Sequence, residues 1–405
     1  MDKSMRNTKI GLSCLVVLSL LAVGCDAPDA RFALNNLMMA RKEREVTDLK
    51  YAPHNQTIAD ALTAMFGTPD DPHFPTGESF GLDGVLNLEQ LKMAAGSVAS
   101  DQDGKTMGLY REHCVHCHGV TGNGGGPTAP FLNPYPRDFR MGLFKFKSTP
   151  TGVRPAHDDL QRILRNGIEG TAMPSFLLLP EGELEALVTY VKYLSIRGEV
   201  ERALIEAAAD MDPEEIDQAL VSQETLQEAV ATVAERWTSA GESVTPVTPR
   251  PEFQPDFDLA ASVARGREIY FGAIANCVKC HGDTQLGDGQ RTGYDTWSKD
   301  FYDWSKVTPA DELAKLRAEY EKLSGLPLRN IIPRNFRKGV FRGGRRPVDI
   351  YWRIKNGIEG AEMPAATGLT EEQVWDLVNY VMNLQYDSLS RPEREEHLVL
   401  ERDRL

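Results

Sequence analysis

The pentapeptide C-x-x-C-H occurs twice, as Cys114-Val115-His116-Cys117-His118 and as Cys277-Val278-Lys279-Cys280-His281. Two thiols three residues apart can each form a thioether to one vinyl group of the same porphyrin, and the adjacent histidine is then held under the iron as its proximal ligand. A zinc site or a dithiol redox pair could use one such stretch, but zinc would need four ligands gathered from these segments. Two copies, each followed by a candidate second ligand, point to two covalently bound haem c groups.

The duplication extends beyond the pentapeptides. Pro136-Arg137-Asp138-Phe139-Arg140 matches Pro333-Arg334-Asn335-Phe336-Arg337, and Asn166-Gly167-Ile168-Glu169-Gly170 recurs as Asn356-Gly357-Ile358-Glu359-Gly360. Counting on from the second pair, Met173-Pro174 lands on Met363-Pro364 and Tyr190 on Tyr380, at one constant offset. Leu160 and Leu164 correspond to Ile350 and Ile354, and Leu187, Val188, Val191 and Leu194 correspond to Leu377, Val378, Val381 and Leu384. Spacings of three and four residues put each set on one helix face, ready to pack on the haem-motif helix.

Proline disfavours helix at the residue before it, so Met173 and Met363 are expected in extended backbone from which a thioether can reach across a pocket. A soft sulfur opposite a histidine suits a haem of raised potential. The alternative is that both are core methionines. His157 has no counterpart in the second unit, and His113 and His116 lie too near His118 to reach the far face of the same ring. Arg137 and Arg334 could pair with haem propionates through the guanidinium fork, the alternative being ordinary surface ion pairs. The Gly122-Asn123-Gly124-Gly125-Gly126-Pro127 loop can bring backbone close to the ring, and the carbonyl of Pro127 is a candidate acceptor for the second N–H of His118.

Each unit resembles a class I cytochrome c domain: an N-terminal helix into C-x-x-C-H, loops under the ring, a Met-Pro loop and a C-terminal helix that crosses the first. The resemblance covers roughly residues 101–198 and 259–390. It implies that Cys114, Cys117, Cys277 and Cys280 are the covalent links, His118 and His281 the proximal iron ligands, and Met173 and Met363 the distal ones. The second unit departs from the pattern by a longer stretch between His281 and Met363. Asp295 to Gly325 fills it with aromatic residues and a charged helix expected from about Thr308.

The remaining chain is read by composition and patterning. Lys3, Arg6 and Lys9 precede an apolar run, Ile10 to Val23, too short for the ~20 residues of a spanning helix, so residues 1–24 read as a signal peptide. Leu21-Ala22-Val23-Gly24-Cys25 resembles a bacterial lipoprotein cleavage box, with Cys25 as the lipidated residue and an exported, lipid-anchored protein on the periplasmic face of a membrane as the expectation. Residues 25–100 form a partly helical arm, a spacer or docking segment. Residues 199–258 are a helical insertion and Pro-rich linker expected to hold the two haem domains apart, and 391–405 a charged tail.

The whole is therefore expected to be all-α: two cytochrome c-like helical domains joined by the insertion and linker. A formal charge of -14 argues against nucleic-acid binding and fits a partner with a basic patch. The implied function is single-electron transfer between redox proteins, such as a quinol-oxidising or dehydrogenase complex and a terminal oxidase, with no catalytic residues. A dihaem peroxidase with one open haem is the alternative.

Overall fold

The computed structural model describes residues 30–98, 107–251, 254, 256–306 and 308–387. The leader with Cys14 and Cys25 and the charged tail lie outside these residues, as do positions 101–106 at the start of the first haem unit. Among the described residues the regular structure is helical, with isolated β-bridges and no strand, as the all-α reading requires. None of the described helices is long and apolar enough to cross a membrane.

The first half is built on one long helix, α7 (Glu181–Ala209), preceded in order by α1 (Asn36–Glu45), α2 (Asn55–Phe66), α3 (Leu88–Ala94), α4 (Leu109–His113), α5 (Val115–His118) and α6 (His157–Asn166). Leu184, Leu187, Tyr190, Tyr193, Ile196 and Leu204 of α7 are all buried, on more than one face. A helix apolar nearly all round has to be enclosed by others. The enclosing residues come from the arm, including Met38, Ile58, Leu62, Phe66 and Leu91, and from Val230, Val233 and Trp237 of α9 (Gln223–Thr238), which follows the short α8 (Ile216–Leu220). Each such side chain contributes roughly 1.5–3 kcal/mol when fully buried. The arm is thus part of the first core rather than a spacer. Asn35 and Asn87 cap α1 and α3 by accepting from the Met38 and Gln90 amides, and the Tyr193 hydroxyl donates to the Phe66 carbonyl.

The segment boundary expected at 198 also falls inside packed structure. In the first unit α3 supplies much of the packing against α7, and α4 leads into Cys114. Helix α7 runs on past Gly198 for three further turns, carrying the C-terminal helix of the unit into the insertion.

In the second half, α10 (Leu259–Phe271) leads towards α11 (Val278–His281) and crosses α15 (Glu371–Asn383), with α14 (Pro347–Asn356) alongside. The crossing passes at Gly266, where a Cβ would lie 2.1 Å from the Asp376 carbonyl oxygen. Asp376 also accepts from Ser262 Oγ at 2.6 Å and from Arg265 Nε at 2.7 Å, pinning the register of the two helices.

The extra segment of the second unit carries α12 (Thr296–Lys299) and α13 (Ala310–Lys322). It does not stay with its own unit. Trp297, Phe301, Trp304, Leu316 and Tyr320 form a cluster with Leu37 of the arm and Ala129 of the first unit. Asp300 accepts from Asn35 Nδ2 at 3.0 Å and from Arg202 Nη1 at 2.7 Å. Asn356 Nδ2 donates to the Ser148 carbonyl at 3.0 Å and Thr151 Oγ1 to the Asn356 carbonyl at 2.7 Å. The two units are therefore in direct contact, correcting the expectation that residues 199–258 hold them apart. Those residues lie against the units instead: Trp237 is in the first core, and Val247 packs on the second.

Candidate haem sites

Both C-x-x-C-H segments are single helical turns closed by a glycine with positive φ, Gly119 at 74° and Gly282 at 80°. A tyrosine four residues before each first cysteine in one unit, and seven before in the other, ends in the same bond: Tyr110 Oη donates to the Gly119 carbonyl at 2.9 Å and Tyr270 Oη to the Gly282 carbonyl at 2.6 Å. Each of these rings packs on the tyrosine of the C-terminal helix, Tyr190 or Tyr380. The second cysteines also match, with Cys117 Sγ 3.3 Å from Thr128 Oγ1 and Cys280 Sγ 3.2 Å from Gln290 Oε1.

None of the four described cysteines is in a disulfide. Burial pushes the Cys114 thiol up to about 12 and the Cys277 thiol up to about 11. Among the described residues no three His, Cys, Asp or Glu side chains converge to hold a metal ion.

His118 Nδ1 lies 3.1 Å from the Arg137 carbonyl oxygen and His281 Nδ1 lies 3.2 Å from that of Arg334. An acceptor there fixes the proton on Nδ1 and leaves the Nε2 lone pair for a metal. Burial holds the His118 pKa down at about 4 and lowers that of His281, so both rings are neutral at ordinary pH. The acceptor expected at Pro127 is thus supplied by Arg137, from the repeated Pro-Arg block. Phe139 and Phe336 of those blocks stack on the two imidazoles, with centroids 4.5 and 4.2 Å away.

The methionine loops match as well. The Ile168 amide donates to the Met173 carbonyl at 3.1 Å and the Ile358 amide to the Met363 carbonyl at 3.0 Å. Gly167, Gly170, Gly357 and Gly360 all take positive φ to make these turns, a conformation glycine adopts without strain. Met173 and Met363 are half-buried, each against the core of its own unit. The longer second unit reaches the same loop because its extra residues pack outward onto the first. His54, His73 and His157 are engaged elsewhere, with Asp217, the Ala64 carbonyl and Glu185 respectively.

Two cations beside the sites escaped the sequence reading. Gly142-Leu143-Phe144-Lys145 continues the first Pro-Arg block as Gly339-Val340-Phe341-Arg342 continues the second, so Lys145 and Arg342 are equivalent. The signal was present in the repeat, a few residues past the point where identity gives way to charge similarity.

A neutral imidazole, a thioether, paired thiols and half-buried cations in each unit fit a covalently attached iron porphyrin with carboxylate side chains. Residues 102–191 match the family described as cytochrome c oxidase, cbb3-type, subunit III, and residues 263–385 match cytochrome c. The chain thus contains two c-type cytochrome domains, which carry covalently bound haem c and transfer electrons. A solved structure from the reducing HAO-like protein complex of Kuenenia stuttgartiensis is 24% identical with a TM-score of 0.45, covering 68% of this chain and 94% of that one. No curated protein matches the chain.

Proposed function

We propose that this is an exported dihaem electron carrier, tethered to the periplasmic face of a membrane through a lipid on Cys25. It passes single electrons between a quinol-oxidising or dehydrogenase complex and a terminal oxidase. The observation that carries the reading is the twofold repetition of one frame: a histidine oriented by an arginine carbonyl and, in the same unit, a methionine loop closed by the same backbone bond. In this reading His118 with Met173, and His281 with Met363, would hold the irons of two haems, and the four cysteines would form the thioethers. Haem so held would supply reversible one-electron chemistry at iron. The chain's own task is to hold these donors in place and keep water away, so that little rearranges when charge arrives. The leader and the lipoprotein-like box support the location.

Optical redox titration of the holoprotein tests this. Two reversible one-electron steps are expected, with no hydrogen peroxide turnover by the reduced or half-reduced protein. Steady peroxide consumption with a ferrocytochrome donor would replace the carrier with the peroxidase.

A further inference from the structure

Four cations, two from each unit, lie where the units meet. Arg137 and Lys145 come from the first unit and Arg334 and Arg342 from the equivalent positions of the second. Lys145 is within electrostatic reach of both Arg137 and Arg342, and Arg342 of Arg334, so the two pairs form one continuous group. Side chains of each unit packed on glycines of the other bring them together: a Cβ on Gly170 would lie 2.8 Å from the Val340 side chain, and one on Gly343 would lie 2.3 Å from that of Phe146.

The carboxylates nearby do not balance this charge. Asp295, from the inserted segment, stands 3.5 Å from Lys145 Nζ, and its field reaches Arg137, Lys145 and Arg342 alike. Glu359 is occupied by Lys147 at 2.7 Å, and Asp138 by Arg140 at 2.8 Å. Among the described residues neither Arg137 nor Arg334 makes a side-chain ion pair within 4.0 Å, and the buried Arg342 Nε has no hydrogen-bond partner. Burial pushes Lys145 down to about 8 and Arg342 down to about 10, and lowers Arg137 and Arg334. Four half-buried cations with Asp295 as the close carboxylate of the group are costly, and the site is complete only when further carboxylates enter it. Guanidinium forks suit such a carboxylate, and each haem of the reading above brings two.

We propose that the propionates of both haems are held in this one seam, by Arg137, Lys145, Arg334 and Arg342 together, so that charge at either iron is felt at the other. The proposal rests on the two-haem reading. Each cation then belongs to both redox centres, and removing any one makes electron uptake harder in both units. An electron on one unit likewise lowers the affinity of the other for the next.

Redox titration of the full holoprotein tests this in a Met363→His background, where loss of the soft sulfur lowers the second haem and separates the two waves. Lys145→Gln and Arg342→Gln should each lower both midpoints, while Lys145→Arg and Arg342→Lys leave both near their starting values. A shift confined to the haem of the substituted unit, or none, overturns the shared seam. The unmodified holoprotein gives a second readout, since haems that meet at one seam couple excitonically. A bisignate Soret circular dichroism band is expected, and a single-signed band overturns the proposal even if a substituted protein fails to load haem. Failure of the two-haem reading shows separately, as a haem content other than two per chain before any substitution.

Discussion

Replacing Cys277 and Cys280 by serine halves the covalently bound haem, from two per chain to one, and leaves the first unit loaded. The reason is that each attachment segment closes on its own core. The first is held by Tyr110 and Tyr190 and the second by Tyr270 and Tyr380, and the apolar clusters of the two units are distinct. The contact between the units is made largely by polar bonds and by the inserted segment, neither of which depends on the cysteines. The reciprocal change, Cys114→Ser with Cys117→Ser, should halve the haem in the same way and keep the second unit. Pyridine haemochrome absorbance per chain, with mass spectrometry of the intact protein, reads the number directly. Loss of both haems from either double variant, or of neither, contradicts two independent attachment sites.

The second large effect is on stability. Arg154 and Glu199 are a buried ion pair, with Arg154 Nε 3.0 Å from both carboxylate oxygens and Trp237 Nε1 donating to Glu199 Oε1 at 2.9 Å. Burial raises the Glu199 pKa, against the opposing pull of Arg154 and Trp237. The pair locks three elements: the loop before α6, the middle of α7 and the end of α9. A Cβ on Gly142 would stand 2.1 Å from Glu199 Oε1, so the strand of chain carrying Phe139 and Lys145 is seated on the same carboxylate. Removing one partner of a buried pair leaves the other charge uncompensated, at a cost of about 3–5 kcal/mol. Arg154→Met should lower the urea midpoint of the holoprotein accordingly, followed by far-ultraviolet circular dichroism. Arg236, 3.9 Å from Glu199 and more than half exposed, is too weakly placed to compensate. A loss below about 1 kcal/mol would mean that the pair contributes only what a surface bridge does.

Much of the candidate site was legible in the sequence because haem attachment is a local requirement. The C-x-x-C-H segments, the Met-Pro loops and the Pro-Arg blocks each work within a few residues, and the duplication displays every one of them twice. What the sequence did not reveal depends on burial between distant segments. Met38, Ile58 and Leu91 look like ordinary amphipathic positions, and nothing in their spacing says that they enclose Tyr193 and Leu194. Trp297 lies in the longer second unit, yet its Nε1 donates to the Asn123 carbonyl of the first unit at 3.0 Å. Periodicity reports which face of a helix is apolar, and not what will cover it. The proximal acceptor moved from Pro127 to Arg137 for a related reason. A carbonyl is available at every residue, so only the path of the chain decides which one meets the imidazole.

The same consideration explains why the units touch. The Pro-rich stretch from Pro246 to Pro255 reads as a stiff spacer when taken alone. In the fold, Thr245 accepts from Trp352 Nε1 at 3.1 Å through its carbonyl and donates from its hydroxyl to Asn356 Oδ1 at 2.8 Å. The Thr245 amide in turn donates to the Ser148 carbonyl at 3.0 Å. Thr245, the residue just before that stretch, thus bonds to Ser148 of the first unit and to Trp352 and Asn356 of the second, so the linker starts from the contact instead of opening it.

The most direct test of two fully ligated haems is the optical spectrum of the reduced holoprotein before and after carbon monoxide. His118 with Met173, and His281 with Met363, fill both axial positions in this account, so neither haem should change. A shift accounting for one haem would contradict it, by showing an iron whose distal methionine is absent or readily displaced.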